Sequence, residues 1–151
     1  MNSYLKELCL LDGISGDEDN VRNYIINVIK DKCSYSVDNL GNIIALKKGR
    51  KTPPKKIMIA AHMDEVGMIV TSVRNDGTLT FDTVGGIDPS VIIGKRVRVG
   101  KNLLCGVVGS KPIHKLSSEE REKAAKVSAM YIDIGAADKA DAEKYVMQGD
   151  C

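Results

Sequence analysis

The feature that most constrains this chain is an apolar run that ends abruptly in ionisable residues. Residues 57–61 read Ile-Met-Ile-Ala-Ala and carry no charge, and His62, Asp64 and Glu65 follow directly. A second apolar run, residues 66–70, comes next. A buried strand that ends at the rim of a sheet presents polar side chains in this way to a metal or a substrate. The sequence therefore predicts a buried strand over residues 57–61 that leads into a functional site.

His62 and Asp64 have the chemistry of a metal site. A neutral imidazole nitrogen is a common ligand for zinc-like metals, and residues two apart in an extended chain point to the same side. The Asp64 carboxylate can therefore accept the other ring N–H of His62, which fixes the tautomer and raises the basicity of the ligating nitrogen. Glu65 points the opposite way in an extended chain. On these residues alone a second interpretation stays open, namely a polar strand end in which His62 and Asp64 only pair with each other.

The longer segment around these residues narrows the alternatives. The stretch Ala61–Gly67 closely resembles the first metal motif of the tetrahedral (TET-type) metalloaminopeptidases. This family of dinuclear zinc or cobalt enzymes includes glutamyl aminopeptidases and so-called endoglucanase relatives. Further segments resemble the family in the same order, so the resemblance covers essentially the whole chain. They are Leu11–Glu18, Asp38–Asn42, Gly85–Pro89, Gly106–His114 and Ile132–Ala136.

The resemblance implies a fold and an activity. The fold class is α/β, with the N-terminal part of a zinc-peptidase-like three-layer α/β domain over residues 1–70. A small inserted β-barrel-like domain follows over residues 71–151, builds homo-oligomers and is short of one or two strands at its C-terminal end. The activity is removal of N-terminal residues from peptides by a water that two divalent metal ions, zinc or cobalt, activate. Matched residue by residue, His62 is a metal ligand, Asp64 is the catalytic residue that orients it, and Glu65 receives no role.

The same resemblance predicts an incomplete site. The remaining metal ligands of the family lie beyond the point that matches residue 151, so the chain looks like the N-terminal part of such an enzyme. One histidine with one outer carboxylate cannot hold two divalent ions tightly. We therefore expect the chain alone to have little or no peptidase activity. The alternative is a catalytically inactive protein that acts only through subunit or partner contacts of its β domain.

Composition argues against several other classes. The net charge of +2 over 151 residues is too small to indicate a nucleic-acid or membrane-surface partner. No uncharged run approaches the roughly 20 residues that span a bilayer. The cysteines form no Cys-x-x-Cys pair, which argues against a zinc ribbon or a dithiol redox motif. Because no apolar signal segment opens the chain, we predict a cytoplasmic protein with free thiols.

Local patterns predict helices and short strands joined by polar turns. Ser15 and Glu18 have capping-box spacing and predict the start of the second helix. The elements follow apolar periodicity: helices near 5–9, 17–31 and 138–146, a short charged helix from Ser117, and strands near 35–37, 43–46, 68–73, 78–81, 95–99, 103–108 and 130–134.

Three loops complete the pattern. The stretches Asn39–Asn42 and Asn75–Gly77 have turn composition and predict two hairpins. The basic stretch 47–56 is interpreted as a solvated loop, because no aromatic residue interleaves its charges. His114, the second histidine of the chain, falls in a segment with the composition of an exposed surface loop.

Overall fold

A computed structural model describes residues 3–51, 54–112 and 126–151. The expectations for His114 and for a helix from Ser117 lie outside the described residues. The chain divides into two compact units, Met1–Glu65 and Val66–Cys151. The sequence placed the boundary a few residues later, and the assignment of the two parts to a catalytic and an oligomerisation domain stays a prediction.

The first unit contains two helices and a hairpin. Helix α1 spans Ser3–Leu8 and helix α2 spans Asp19–Ile29. Strands β1 (Ser34–Val37) and β2 (Ile43–Leu46) pair antiparallel. Val21, on the apolar stripe of α2, is buried. Helices and strands thus occur in this unit where apolar periodicity predicted them, although α2 is shorter than expected.

Asp38 explains why the first hairpin forms where the sequence predicted it. Its Oδ1 accepts the backbone N–H groups of Leu40 and Asn42, each at 2.9 Å. Its Oδ2 accepts the side-chain amide of Asn42, also at 2.9 Å. An aspartate that bonds its own backbone two residues on is a turn-forming residue. The turn therefore sets the register in which Val37 pairs with Ile43.

The prediction of a capping box at α2 was wrong. Glu18 occupies the N-cap position of α2, and its side chain makes no capping hydrogen bond. The Glu18 carboxylate instead accepts the backbone N–H of Gly16 at 2.7 Å, and the Ser15 hydroxyl donates to Asp64. The Glu18 side chain therefore closes the turn before the helix and the Ser15 side chain contacts a distant residue, so neither caps the first N–H groups of α2.

The prediction of a buried strand over residues 57–61 was also wrong. The segment has no regular secondary structure, and Ile57, Met58 and Ile59 are about 90% exposed. A strand requires a hydrogen-bonded neighbour and an element that covers its face. Within the described residues, no β-ladder includes this segment. Its apolar composition therefore does not by itself produce a buried strand.

The second unit is a five-stranded antiparallel sheet with short helices. In the order in which they pair, its strands are β3 (Gly67–Val73), β4 (Leu79–Val84), β7 (Met130–Asp133), β6 (Leu104–Ser110) and β5 (Arg96–Val99). The helical elements are α3 (Pro89–Ile92), a 3₁₀ turn (Val127–Ala129) and α4 (Lys139–Ala142).

One apolar cluster forms the core of this sheet. Because side chains alternate along a strand, every second residue faces the core. Leu79, Val108 and Met130, from three adjacent strands, are the largest fully buried side chains. The remaining buried members are Val70, Phe81, Ile92, Val99, Ile132 and Val146. The core thus rests on aliphatic residues and the single phenylalanine.

The last three residues connect the two edge strands of this sheet. On β3, Gly149 donates its N–H to the Val70 carbonyl at 2.9 Å, and Val70 donates its own N–H to the Asp150 carbonyl at 2.8 Å. Directly after β5, Gly100 donates its N–H to the Cys151 carbonyl at 2.7 Å. The tripeptide thus occupies backbone groups at both edges of the sheet.

The chain is therefore a mixed α/β protein. None of the helices in the described part combines the length and the apolar character that crossing a bilayer requires. Cys9, Cys33 and Cys105 are free thiols.

Candidate metal-ligand site

His62 and Asp64 contact each other in the loop that follows residues 57–61. The Nδ1 atom of His62 lies 3.1 Å from the Asp64 Oδ1 and 3.0 Å from the Asp64 backbone carbonyl oxygen. The His62 side chain is 85% exposed and the Asp64 side chain is 40% exposed. The pair is therefore accessible to a ligand approaching from solvent.

This contact selects which ring nitrogen of His62 is available to a metal. The nitrogen that faces a carboxylate carries the proton, and the other nitrogen then carries the lone pair. Because Nδ1 faces two oxygens of Asp64, Nε2 is the nitrogen that a metal would meet. A histidine oriented in this way is prepared to ligate through Nε2.

Asp64 is held in its anionic form. The hydrogen bond from the Ser15 hydroxyl is the largest of the effects that hold the pKa of the Asp64 carboxyl below its ordinary value, and His62 acts in the same direction. Partial desolvation opposes these effects without reversing them. An anionic carboxylate is the better acceptor for an imidazole N–H.

Sequence reasoning missed Ser15 as a member of this site. Its hydroxyl donates to the Asp64 Oδ2, whereas the sequence pattern assigned it to a helix cap. The two residues are 49 positions apart, so no local pattern could have paired them. The backbone adds a second connection, because Glu65 donates its N–H to the Gly13 carbonyl at 2.7 Å.

The described residues do not form a complete metal site. Across residues 3–51, 54–112 and 126–151, no group of three or more His, Cys, Asp or Glu side chains is arranged to hold a metal ion. A zinc site in a protein needs three or four protein ligands. His62 fits the part of one ligand and Asp64 fits the part of its outer partner. Glu65 is exposed, and its observed contact is through the backbone.

Comparisons with known proteins identify the family that this chain matches. Residues 41–151 match the M42 glutamyl aminopeptidase family. A putative aminopeptidase of Acetivibrio thermocellus is 44% identical over an alignment of 151 positions that covers 99% of this chain and 43% of that relative. The lysyl aminopeptidase of Pyrococcus furiosus is 33% identical over an alignment of 146 positions that covers 93% of this chain and 41% of that protein.

Solved structures agree with the sequence comparisons. A TET aminopeptidase from a marine sediment archaeon of the Thaumarchaeota superposes with a TM-score of 0.87 at 38% identity, over 97% of this chain and 41% of that chain. A TET peptidase of Pyrococcus horikoshii, which can assemble into a tetrahedron or a large octahedral shell, gives a TM-score of 0.82 at 39% identity, over 97% of this chain and 44% of that chain.

The matched relatives are longer than this chain, which spans less than half of each of them. The family match nevertheless covers most of the 151 residues and includes His62 and Asp64. The predicted family resemblance is confirmed: this chain belongs to the M42 glutamyl aminopeptidase family.

Proposed function

We propose that this chain contributes the N-terminal part of the catalytic unit of a metal-dependent aminopeptidase that removes N-terminal residues from peptides. The observation that carries the proposal is the contact between His62 Nδ1 and the Asp64 carboxylate, which would leave Nε2 available to ligate a metal. Family membership supports the reaction class, because named relatives are lysyl and glutamyl aminopeptidases.

In this proposal His62 is a metal ligand and Asp64 is the catalytic residue that orients it. Two divalent ions, zinc or cobalt, would supply an activated water and polarise the peptide carbonyl. The chain itself holds the His62 ring in place and keeps an anionic carboxylate beside Nδ1. The described residues contain no group of three or more side chains arranged to hold a metal ion, so we expect the chain alone to bind little metal and to lack peptidase activity.

The proposal divides the chain between two roles. Residues 1–70 belong to the catalytic domain, and residues 71–151 form a β-barrel-like domain through which copies of the protein associate. The C-terminal tripeptide at both edges of the sheet supports a barrel-like form. The oligomeric shell formed by the Pyrococcus horikoshii relative supports homo-oligomers. We place the protein in the cytoplasm.

A second function follows if no catalytic unit is ever completed. The protein would then act only through subunit or partner contacts of its β domain. The observation that favours this alternative is that the described residues contain no group of three metal-ligating side chains.

A full-length chimera tests the proposed function. Residues 1–151 of this chain replace the matching segment of the Acetivibrio thermocellus relative, with which they share 44% identity. We expect metal-dependent release of N-terminal amino acids from aminoacyl-p-nitroanilides and short peptides. Asp64→Asn should lower kcat/KM roughly 10- to 100-fold, as loss of an outer partner of a metal ligand does, and His62→Ala should lower it further.

His114→Gln is the matched control, because it removes the other histidine and should leave activity unchanged. A folded, oligomeric chimera without peptidase activity would favour the second function. Activity of the isolated 151-residue chain that His62→Ala abolishes would contradict the incomplete site.

A further inference from the structure

The turn before α2 holds the loop that carries His62 and Asp64. The Glu65 N–H donates to the Gly13 carbonyl at 2.7 Å, and Ile14 forms a parallel bridge with Glu65. The Ser15 hydroxyl then reaches the Asp64 carboxylate. The loop is therefore attached to the turn by the backbone of Glu65 and by the side chain of Asp64.

The two carboxylate oxygens of Asp64 have different partners. Oδ2 accepts from the Ser15 hydroxyl, and Oδ1 lies 3.1 Å from His62 Nδ1. The last torsion of an aspartate is a broad rotor with weak intrinsic preference. Because rotation of the carboxylate would break the hydrogen bond from Ser15 to Oδ2, this bond favours the orientation in which Oδ1 faces His62.

Other contacts, independent of Asp64, fix the position of Ser15. On its C-terminal side, Gly16 donates its N–H to the Glu18 carboxylate at 2.7 Å. Around it, Asp17 donates its N–H to the Ile14 carbonyl at 2.9 Å. Ser15 thus projects from a turn closed on itself, and removal of its hydroxyl leaves the backbone contacts of the turn in place.

We propose that Ser15 is a positioning residue: it orients the Asp64 carboxylate so that His62 keeps its proton on Nδ1 and presents Nε2 to a metal. The catalytic meaning of this role rests on the proposed function. The arrangement of Ser15, Asp64 and His62 exists in the chain without a metal and is testable whether or not the protein is a peptidase.

The experiment measures the tautomer of His62 in the metal-free 151-residue chain. The chain has two histidines, so a His114→Gln background leaves a single imidazole. Long-range ¹H–¹⁵N correlation spectra of the ¹⁵N-labelled protein distinguish Nδ1–H from Nε2–H at a pH of about 8, where an ordinary imidazole is neutral. We expect Nδ1–H to predominate.

Ser15→Ala should lower the ratio of Nδ1–H to Nε2–H roughly threefold or more, which is the effect of one net hydrogen bond. Ser15→Thr keeps the hydroxyl and should restore the ratio. Ser34→Ala is the matched control, because it removes another exposed hydroxyl of the same unit, one that donates to the Leu46 carbonyl at 3.2 Å. Circular dichroism checks that all variants are folded.

Two results would overturn the proposal. One is a predominant Nε2–H tautomer in the parent protein. The other is an Nδ1–H population that Ser15→Ala leaves unchanged, because the Asp64 carboxylate or the Asp64 backbone carbonyl, 3.0 Å from Nδ1, would then hold His62 without help from Ser15. Failure of the chimera to cleave peptides, with the tautomer shift observed, would reject the peptidase function and leave the Ser15 role intact.

Discussion

Comparison of Gly77 with Gly135 separates the cost of steric crowding from the cost of a side chain at positive φ. Gly77 has φ +81°, and a Cβ atom there would lie 2.8 Å from the Ala136 carbonyl oxygen and 3.1 Å from the Ala136 carbonyl carbon. Gly135 has φ +77°, and a Cβ atom on Gly135 would have no neighbouring atom within 4 Å. Both glycines adopt the left-handed region, but only Gly77 is crowded by backbone that cannot rotate away.

The magnitudes follow from these two environments. A side chain at positive φ costs about 1–2 kcal/mol, and the lower entropy of the unfolded chain returns about 0.4–1 kcal/mol for Gly→Ala. Gly135→Ala should therefore cost about 1 kcal/mol of unfolding free energy. Gly77→Ala should lose about 1–3 kcal/mol more, the typical cost of overpacking.

Urea unfolding followed by amide NMR signals of β4 and β7 measures both variants in the unit that contains the glycines. The structure predicts a clearly larger loss of unfolding free energy for Gly77→Ala than for Gly135→Ala. Equal losses would show that the Ala136 carbonyl does not crowd position 77, and a neutral Gly77→Ala would refute the left-handed turn itself.

Two other predictions concern core packing and the pH dependence of the first hairpin. Leu79 is fully buried, so Leu79→Ala should cost about 2–5 kcal/mol in the same urea experiment. Met147→Ala, at a 69% exposed residue of the same unit, should change stability by less than about 0.5 kcal/mol. The Asn42 side chain is the main cause that holds the pKa of Asp38 below its ordinary value. The stabilisation from Asp38 should therefore be complete above the ordinary aspartate pKa of about 3.9 and disappear as pH falls through the lower folded value. A pH titration that follows the amide NMR shifts of Leu40 and Asn42, whose N–H groups bond the Asp38 carboxylate, measures this loss. If these shifts reached their unbonded values already at neutral pH, the predicted direction of the pH dependence would be contradicted.

Turns were the part of the fold that local sequence predicted best. The residues that close the first hairpin all lie between Asp38 and Asn42. In the second hairpin, Gly77 donates its N–H to the Arg74 carbonyl at 3.0 Å, and the Asp76 carboxylate accepts the Thr78 N–H at 3.1 Å. Such contacts span a few residues, so the sequence contains their whole physical cause.

Contacts between distant residues were outside the reach of local patterns. Ser15 and Glu18 have capping-box spacing, but a partner 49 residues away determines where the Ser15 hydroxyl points. For residues 57–61, apolar composition indicated burial, but burial also requires a neighbouring element, and Ile59 is 92% exposed. Apolar composition favours burial of a segment, but burial occurs only where another element of the fold packs against it.

The candidate site contains a contact that local sequence predicted and chemical roles that depend on residues further away. The spacing of His62 and Asp64 predicted their contact, because residues two apart in an extended chain point to the same side, and His62 Nδ1 does lie 3.1 Å from Asp64 Oδ1. Their chemical roles stay a prediction, since no group of three or more potential metal ligands comes together within the described residues.

The most direct test of the account is the metal content of the full-length chimera after loading with zinc or cobalt and exhaustive desalting. Elemental analysis should find about two ions per chain, fewer after His62→Ala, and no change after His114→Gln. Unchanged metal content in a folded His62→Ala chimera would contradict the central claim that His62 is a metal ligand.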